Sequence, residues 1–151
     1  MTESEPLDIL VIGCGAAGLF AATWAGRTAQ AGGCPLAVTA VDGARKLGAK
    51  ILVAGGGRCN VTHRIISEAD YAGSSPPAIR KVLRRFPEAD TVAFFEAAGV
   101  ELKTEETGKL FPVSDSARTV LAALVREAEA AGCRLMHPAR VTGLARSAAG
   151  F

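Results

Sequence analysis

The sequence has almost no excess of charge: 17 Lys and Arg face 15 Asp and Glu, a formal net charge of +2 over 151 residues. The dense basic stripe that backbone binding to nucleic acid requires is missing. Four cysteines, Cys14, Cys34, Cys59 and Cys133, form no C-x-x-C pair, and no Cys/His spacing suits a zinc site. Metal binding is therefore not expected. The first residues, Met-Thr-Glu-Ser-Glu, are acidic where a secretory signal is positive, so the chain is expected to be cytoplasmic with reduced thiols. Internal repeats and low-complexity tracts are absent. His63 and His137 are the only histidines, and neither sits in a pattern with Ser, Cys or a carboxylate that would form a triad. No catalytic residue can be named.

Residues 9–26 carry no charge, and these 18 residues reach the lower limit of a membrane-spanning helix. Gly13, Gly15, Gly18 and Gly26 divide the stretch into a short apolar strand and a separate helix, so no membrane partner is expected. What is present is a folding composition, 49% hydrophobic and 21% charged, at a length that suggests one domain.

Asp8–Ile12 reads as a strand buried on both faces, followed by an Ala/Leu-rich helix from Ala16 to about Ala29 and a second strand over Leu36–Val41. That order is a β-α-β unit. Residues 43–65 show neither period and read as a shaped loop around Gly55-Gly56-Gly57. Tyr71–Pro77 reads as a linker, and Ile79, Val82, Leu83 and Phe86 recur on one face of a short helix closed by Pro87. A helix over Glu88–Ala98 capped by Gly99, a strand over Val100–Thr104, a turn at Thr107-Gly108 and an extended Lys109–Phe111 follow. The apolar stripe Val120, Leu121, Leu124, Val125 and Ala128 marks one more helix, ended by Gly132. Cys133–Met136 and Arg140–Leu144 read as extended, and the final residues as the turn of a hairpin.

Gly13-Cys-Gly15-Ala-Ala-Gly18 matches G-x-G-x-x-G directly after a strand and at the opening of a helix. Gly13 would make the tight turn, Gly15 would let a pyrophosphate approach the backbone, and Gly18 would let the helix lie close to the sheet. Asp42 lies 24 residues beyond Gly18, near the ~20 at which an acid accepts hydrogen bonds from the ribose. An NAD-dependent dehydrogenase and a non-catalytic nucleotide-binding or RNA-associated module share this motif. The first gives no role to Gly55–Asn60, and the small net charge speaks against the second.

Lys50-Ile-Leu-Val-Ala-Gly-Gly-Gly-Arg-Cys-Asn-Val-Thr62 closely resembles the signature of bacterial FAD-binding flavoproteins of the aminoacetone-oxidase-like or NAD(P)/FAD-dependent oxidoreductase kind. The resemblance continues through Phe94–Lys103 and Gly108–Asp115 and so covers nearly the whole chain. It implies an α/β, Rossmann-type FAD-binding fold of the two-dinucleotide-binding class, incomplete at its C-terminus, with residues 1–151 as its N-terminal part and the substrate domain elsewhere. It implies an FAD-dependent oxidoreductase acting on a small-molecule substrate, with NAD(P)H a possible electron donor and the isolated segment inactive. In this family Gly13, Gly15, Ala16, Ala17 and Gly18 would hold the FAD pyrophosphate. Asp42 would hold the adenosine ribose, in place of the longer Glu of relatives. Lys50, Gly56, Gly57, Arg58, Cys59 and Asn60 would line the flavin half, and the backbone of Val141 would meet adenine. Cys59 has no second thiol nearby in sequence and is expected to pack as a small, weakly polar residue.

Overall fold

The computed structural model describes residues 7–34, 36–146, 148 and 150. In chain order its elements are β1 (Ile9–Ile12), α1 (Ala16–Ala31), β2 (Val38–Val41), α2 (Ala49–Val53), β3 (Thr62–His63), α3 (Pro76–Leu83), α4 (Glu88–Ala97), β4 (Leu102–Thr104), β5 (Lys109–Pro112), α5 (Ala117–Ala130) and β6 (Arg134–Met136). They cluster into two compact units, residues 1–50 with 124–151, and residues 51–123.

The first unit carries a parallel sheet of order β1-β2-β6, with Ile9 opposite Val38, Ile12 opposite Val41, and Val41 opposite Met136. β2 is buried along its whole length, as a central parallel strand must be when both its faces are covered. β1 differs from the strand read in the sequence. Its exposure alternates, with Leu10 and Ile12 at 42% and 51%, because one of its faces stays open; among the described residues it is also an edge strand, paired only with β2.

α1 packs unusually close. A Cβ on Gly18 would stand 1.7 Å from the Gly13 carbonyl oxygen, and one on Gly26 would stand 2.2 Å from that of Ala131, so both positions require a bare Cα. Thr23, the one fully buried polar side chain of this helix, is satisfied by donating to Leu19 O at 2.8 Å. The Cys133 thiol contacts Ala22 O at 3.0 Å, and Arg27 pairs with Glu127 at 2.6 Å. Glycines follow both well-patterned helices with positive φ, Gly99 at 74° and Gly132 at 79°, as their positions in sequence suggested.

The second unit holds an antiparallel sheet of order β3-β5-β4, in which Thr62 faces Leu110 and Leu102 faces Pro112. Gly108, at φ 81°, makes the expected turn between β4 and β5. Phe94, Phe95, Val100, Leu110 and Phe111 are buried here, the first two meeting edge to face at 5.2 Å.

Several segments depart from the sequence reading. Residues 43–65 are not loop throughout: they contain α2 and β3, and the helix stops where Gly55, Gly56 and Gly57 take left-handed backbone. α3 begins at Pro76, inside the expected linker, since a proline is well tolerated in a first helical turn. Arg140–Leu144 is irregular rather than a strand. The hairpin read into the last residues falls largely outside the described residues. No helix among the described residues is long and apolar enough to cross a membrane, and the uncharged stretch 9–26 divides into β1, a glycine turn and α1.

Candidate dinucleotide-binding site

The site is built at the C-terminal ends of the parallel strands, where open α/β sheets place their ligands. Gly13 N–H donates to Val41 O at 2.7 Å and Asp42 N–H donates to Met136 O at 3.0 Å, which ties the ends of β1, β2 and β6 together. Gly13 then turns the chain with φ 102°, a conformation that favours glycine. Gly15 is the residue before α1. No side chain caps the helix there, and no acid lies in its first turn. The first N–H groups of α1 therefore have no side-chain cap, and the positive end of the helix dipole lies there.

A Cβ built on Gly13 or Gly15 meets nothing within 4 Å, whereas one on Gly18 strikes backbone. The three motif glycines thus have different reasons. Gly18 is required by the fold, and Gly15, with ordinary extended backbone, leaves open a space that the fold itself does not need. A bare backbone cradle at an uncapped helix start suits a pyrophosphate group.

Asp42 stands beside this cradle. Its Oδ1 accepts from Ala44 N–H at 2.8 Å and its Oδ2 from Cys14 N–H at 2.7 Å. Those two hydrogen bonds, with a smaller contribution from the charge of His137, hold the carboxyl below its ordinary value. Each oxygen keeps acceptor capacity for a further donor such as a ribose hydroxyl. The segment carrying Val141 runs alongside: Ala139 N–H donates to Asp42 O at 2.7 Å, and a Cβ on Gly43 would touch Arg140 at 3.3 Å. Cys14, buried in the turn, has its thiol pushed up by burial and by the Asp42 charge. The structure thus brings together Gly13–Gly18, Asp42 and the approach to Val141, while Lys50 lies exposed on α2.

The glycine loop belongs to the second unit. Arg58 stacks its guanidinium 4.1 Å above the Phe111 ring and donates to Glu105 Oε1 at 2.5 Å, with Asp115 at 3.8 Å. Gly55 lies so close that a Cβ would stand 2.8 Å from the same ring. Sequence reasoning missed Glu105, Phe111 and Asp115 as the partners of Arg58, because nothing in a spacing of 47 residues signals an ion pair. Cys59 is buried at φ 64°, and burial raises its thiol pKa. All four cysteines are free thiols. His63 sets both ring nitrogens 2.8 Å from backbone carbonyls, those of Ile65 and Thr107, so it braces the β-sheet turn. Among the described residues no cluster of His, Cys, Asp and Glu could hold a metal ion.

Residues 7–151 match the family model described as the HI0933-like protein Rossmann domain. The chain is 31% identical over 147 residues to the ribosomal RNA dihydrouridine synthase of Escherichia coli (strain K12), covering 97% of this chain and 35% of that protein. It is 35% identical over 144 residues to the 3-dehydro-bile acid delta(4,6)-reductase of Clostridium scindens, covering 93% of this chain and 33% of that protein. The chain therefore spans about a third of the length of these relatives. The crystal structure of Thermovibrio ammonificans THI4 superimposes with a TM-score of 0.52 over 86% of this chain and 38% of that one, at 14% identity, a likeness of fold alone. With its fold of the class read from the sequence and its whole described length matched, the chain belongs to the HI0933-like Rossmann-domain family, an FAD-binding oxidoreductase family.

Proposed function

We propose that this chain supplies the FAD-binding part of a flavin-dependent reductase that saturates a carbon–carbon double bond conjugated with a carbonyl. The observation that carries the cofactor assignment is the open backbone cradle at Gly13 and Gly15 beside the uncapped start of α1, with the Asp42 carboxylate at its edge. Gly13, Gly15, Ala16, Ala17 and Gly18 hold the pyrophosphate, Asp42 takes the adenosine ribose, and the Val141 backbone takes adenine. On the resemblance alone, Lys50 and the Gly56–Asn60 loop serve the flavin half. Arg58 acts there by anchoring the loop to Glu105 and Phe111. Bound flavin would supply the hydride chemistry, with the protein orienting and tuning it.

The reaction class rests on the names of the relatives. Dihydrouridine and a delta(4,6)-reduced 3-dehydro-bile acid are both products of adding two hydrogens across a double bond conjugated with a ring carbonyl. This favours reduction of an unsaturated ring over oxidation of a small amine such as aminoacetone, and NAD(P)H is the proposed source of electrons. The test is anaerobic. The full-length gene product is reduced with NAD(P)H and mixed with a cyclic enone, and the oxidised protein is mixed separately with an amino ketone; reoxidation of the flavin by the enone supports the reading, and reduction of the flavin by the amino ketone with no reoxidation by the enone overturns it.

A second reading places an RNA base as the substrate. It is favoured by the E. coli relative's name and by four exposed cations, Arg80, Lys81, Arg84 and Arg85, in and just after α3. Salt-dependent RNA binding lost on reversing Lys81 and Arg84 would support it.

A further inference from the structure

His63 of β3 holds two separate segments of the second unit through the two nitrogens of one ring. Nδ1 stands 2.8 Å from the Ile65 carbonyl oxygen, and Nε2 stands 2.8 Å from that of Thr107, in the turn between β4 and β5. The ring lies against that turn: a Cβ on Gly108 would stand 2.7 Å from its Cε1 and 2.8 Å from its Nε2. A carbonyl oxygen only accepts, and a neutral imidazole has one N–H, so the neutral ring serves only one of the two. The imidazolium donates to both.

The neutral ring has a different partner in reach. The Ile65 N–H meets the same Nδ1 at 3.2 Å. With its remaining proton on Nε2, the ring keeps the Thr107 carbonyl, and Nδ1 exchanges the Ile65 carbonyl for the Ile65 N–H. The proton on His63 therefore decides which backbone group of Ile65 is bound. Ile65 and Ile66 line a cavity of about 430 Å³, together with Asn60 at the end of the glycine loop, Thr62 and Tyr71. Beyond them the chain is anchored by the reciprocal capping box of Ser67 and Asp70 and by the ion pair of Glu68 with Arg80 of α3. A change at Ile65 is thus confined to the two isoleucines of the cavity wall.

The charges around the ring come from three segments. Asp70, in the anchored turn, attracts the cation: two hydrogen bonds from Ser67 hold its carboxyl below its ordinary value, and the charge of His63 adds to them. Lys109 of β5 stands opposite His63 in the strand pair and repels it. Glu105 and Glu106 lie in the turn that carries Thr107, with Glu105 engaged by Arg58, and Arg64 follows His63 along the chain. We infer that His63 is a proton-operated clasp on the cavity wall. As imidazolium it ties the Ile65 carbonyl to the β4–β5 turn; on losing the Nδ1 proton it releases that carbonyl, takes up the Ile65 N–H and resets Ile65 and Ile66 beside Asn60. This goes beyond the cofactor and reaction proposed above and depends on neither.

The test is an NMR titration of the 15N-labelled full-length gene product from about pH 5 to about pH 8, the span in which histidine changes charge. The ring nitrogens of His63 and the amides of Ile65 and Ile66 are followed together. Both ring nitrogens are expected to carry protons at the acid end, and Nδ1 to lose its proton as pH rises while Nε2 keeps its own. The two isoleucine amides are expected to shift in step with Nδ1. At the alkaline end, exchange of the Ile65 amide is expected to be about threefold to tenfold slower than in His63→Phe, which seats a ring on Gly108 without an acceptor for that N–H. His63→Phe, or His63→Gln should the first variant not fold, is expected to abolish the coordinated shifts. Isoleucine amides that stay in place while the ring titrates, loss of the proton from Nε2 instead, or the same amide shifts in the variants overturns the clasp. None of these readouts passes through a flavin, so their failure leaves the reductase reading standing.

Discussion

Asp42 Oδ2 accepts the backbone N–H of Cys14 at 2.7 Å, so the acid at the end of β2 also braces the glycine turn that follows β1. The one-methylene-shorter arm of Asp, compared with Glu, places the carboxylate at the turn itself. Its second oxygen fixes Ala44, and the two ends of the cradle are thereby joined through one side chain.

Removing that brace has an expected pH signature. Because the folded carboxyl lies below its ordinary value, its contribution is present above the carboxylate's unfolded range and is lost as pH falls through the folded value. Asp42→Asn is expected to cost on the order of 1–2 kcal/mol near neutral pH, a modest figure for a largely solvated group. Thermal unfolding of both proteins across the acid range checks this. The gap should close in acid; a gap independent of pH would contradict it.

Gly15 and Gly18 are expected to separate binding from folding. Gly18→Ala puts a Cβ 1.7 Å from the Gly13 carbonyl and is expected to destabilise by about 1–3 kcal/mol or more. Gly15→Ala meets no atom within 4 Å and adopts an allowed backbone, so urea unfolding should be little changed while FAD affinity falls. Equal effects of the two substitutions on stability would remove the distinction.

The thiols are expected to react in the order that burial sets. Cys34 is exposed, and Cys14, Cys59 and Cys133 are buried with raised pKa. Alkylation of the native protein at neutral pH, followed by mass spectrometry, should label Cys34 first. Cys59→Ser should keep FAD and most turnover, and loss of turnover with flavin still bound would return this thiol to the mechanism.

The β-α-β unit was legible because its signals are local. An apolar β-branched run, a glycine motif and a helix-forming stretch lie within 35 residues, and Gly99, Gly108 and Gly132 mark three further boundaries. The partners of Arg58 were not legible, since Glu105 and Phe111 reach it only through the folding of β5 and its turn. The open face of β1 was hidden for a related reason. A run such as Ile9–Ile12 has the same composition whether one or both faces are covered, and only the elements packed on each face distinguish the two.

That open face makes a further expectation. With Leu10 and Ile12 exposed on a strand paired on one side, the 151-residue chain should self-associate as its concentration rises. Sedimentation should show this, and Ile12→Lys should suppress it. A chain that stays monomeric throughout would indicate that the face is covered in solution.

The most direct test of the central claim is the visible absorption spectrum of the purified full-length gene product, compared with its Gly15→Val variant. The wild-type protein is expected to carry a flavin band released as FAD on denaturation, and the variant to be folded and colourless, because its side chain fills the space over the cradle. A colourless wild-type protein that binds NAD and cannot be reconstituted with FAD, or a variant that retains the full flavin band, would contradict it.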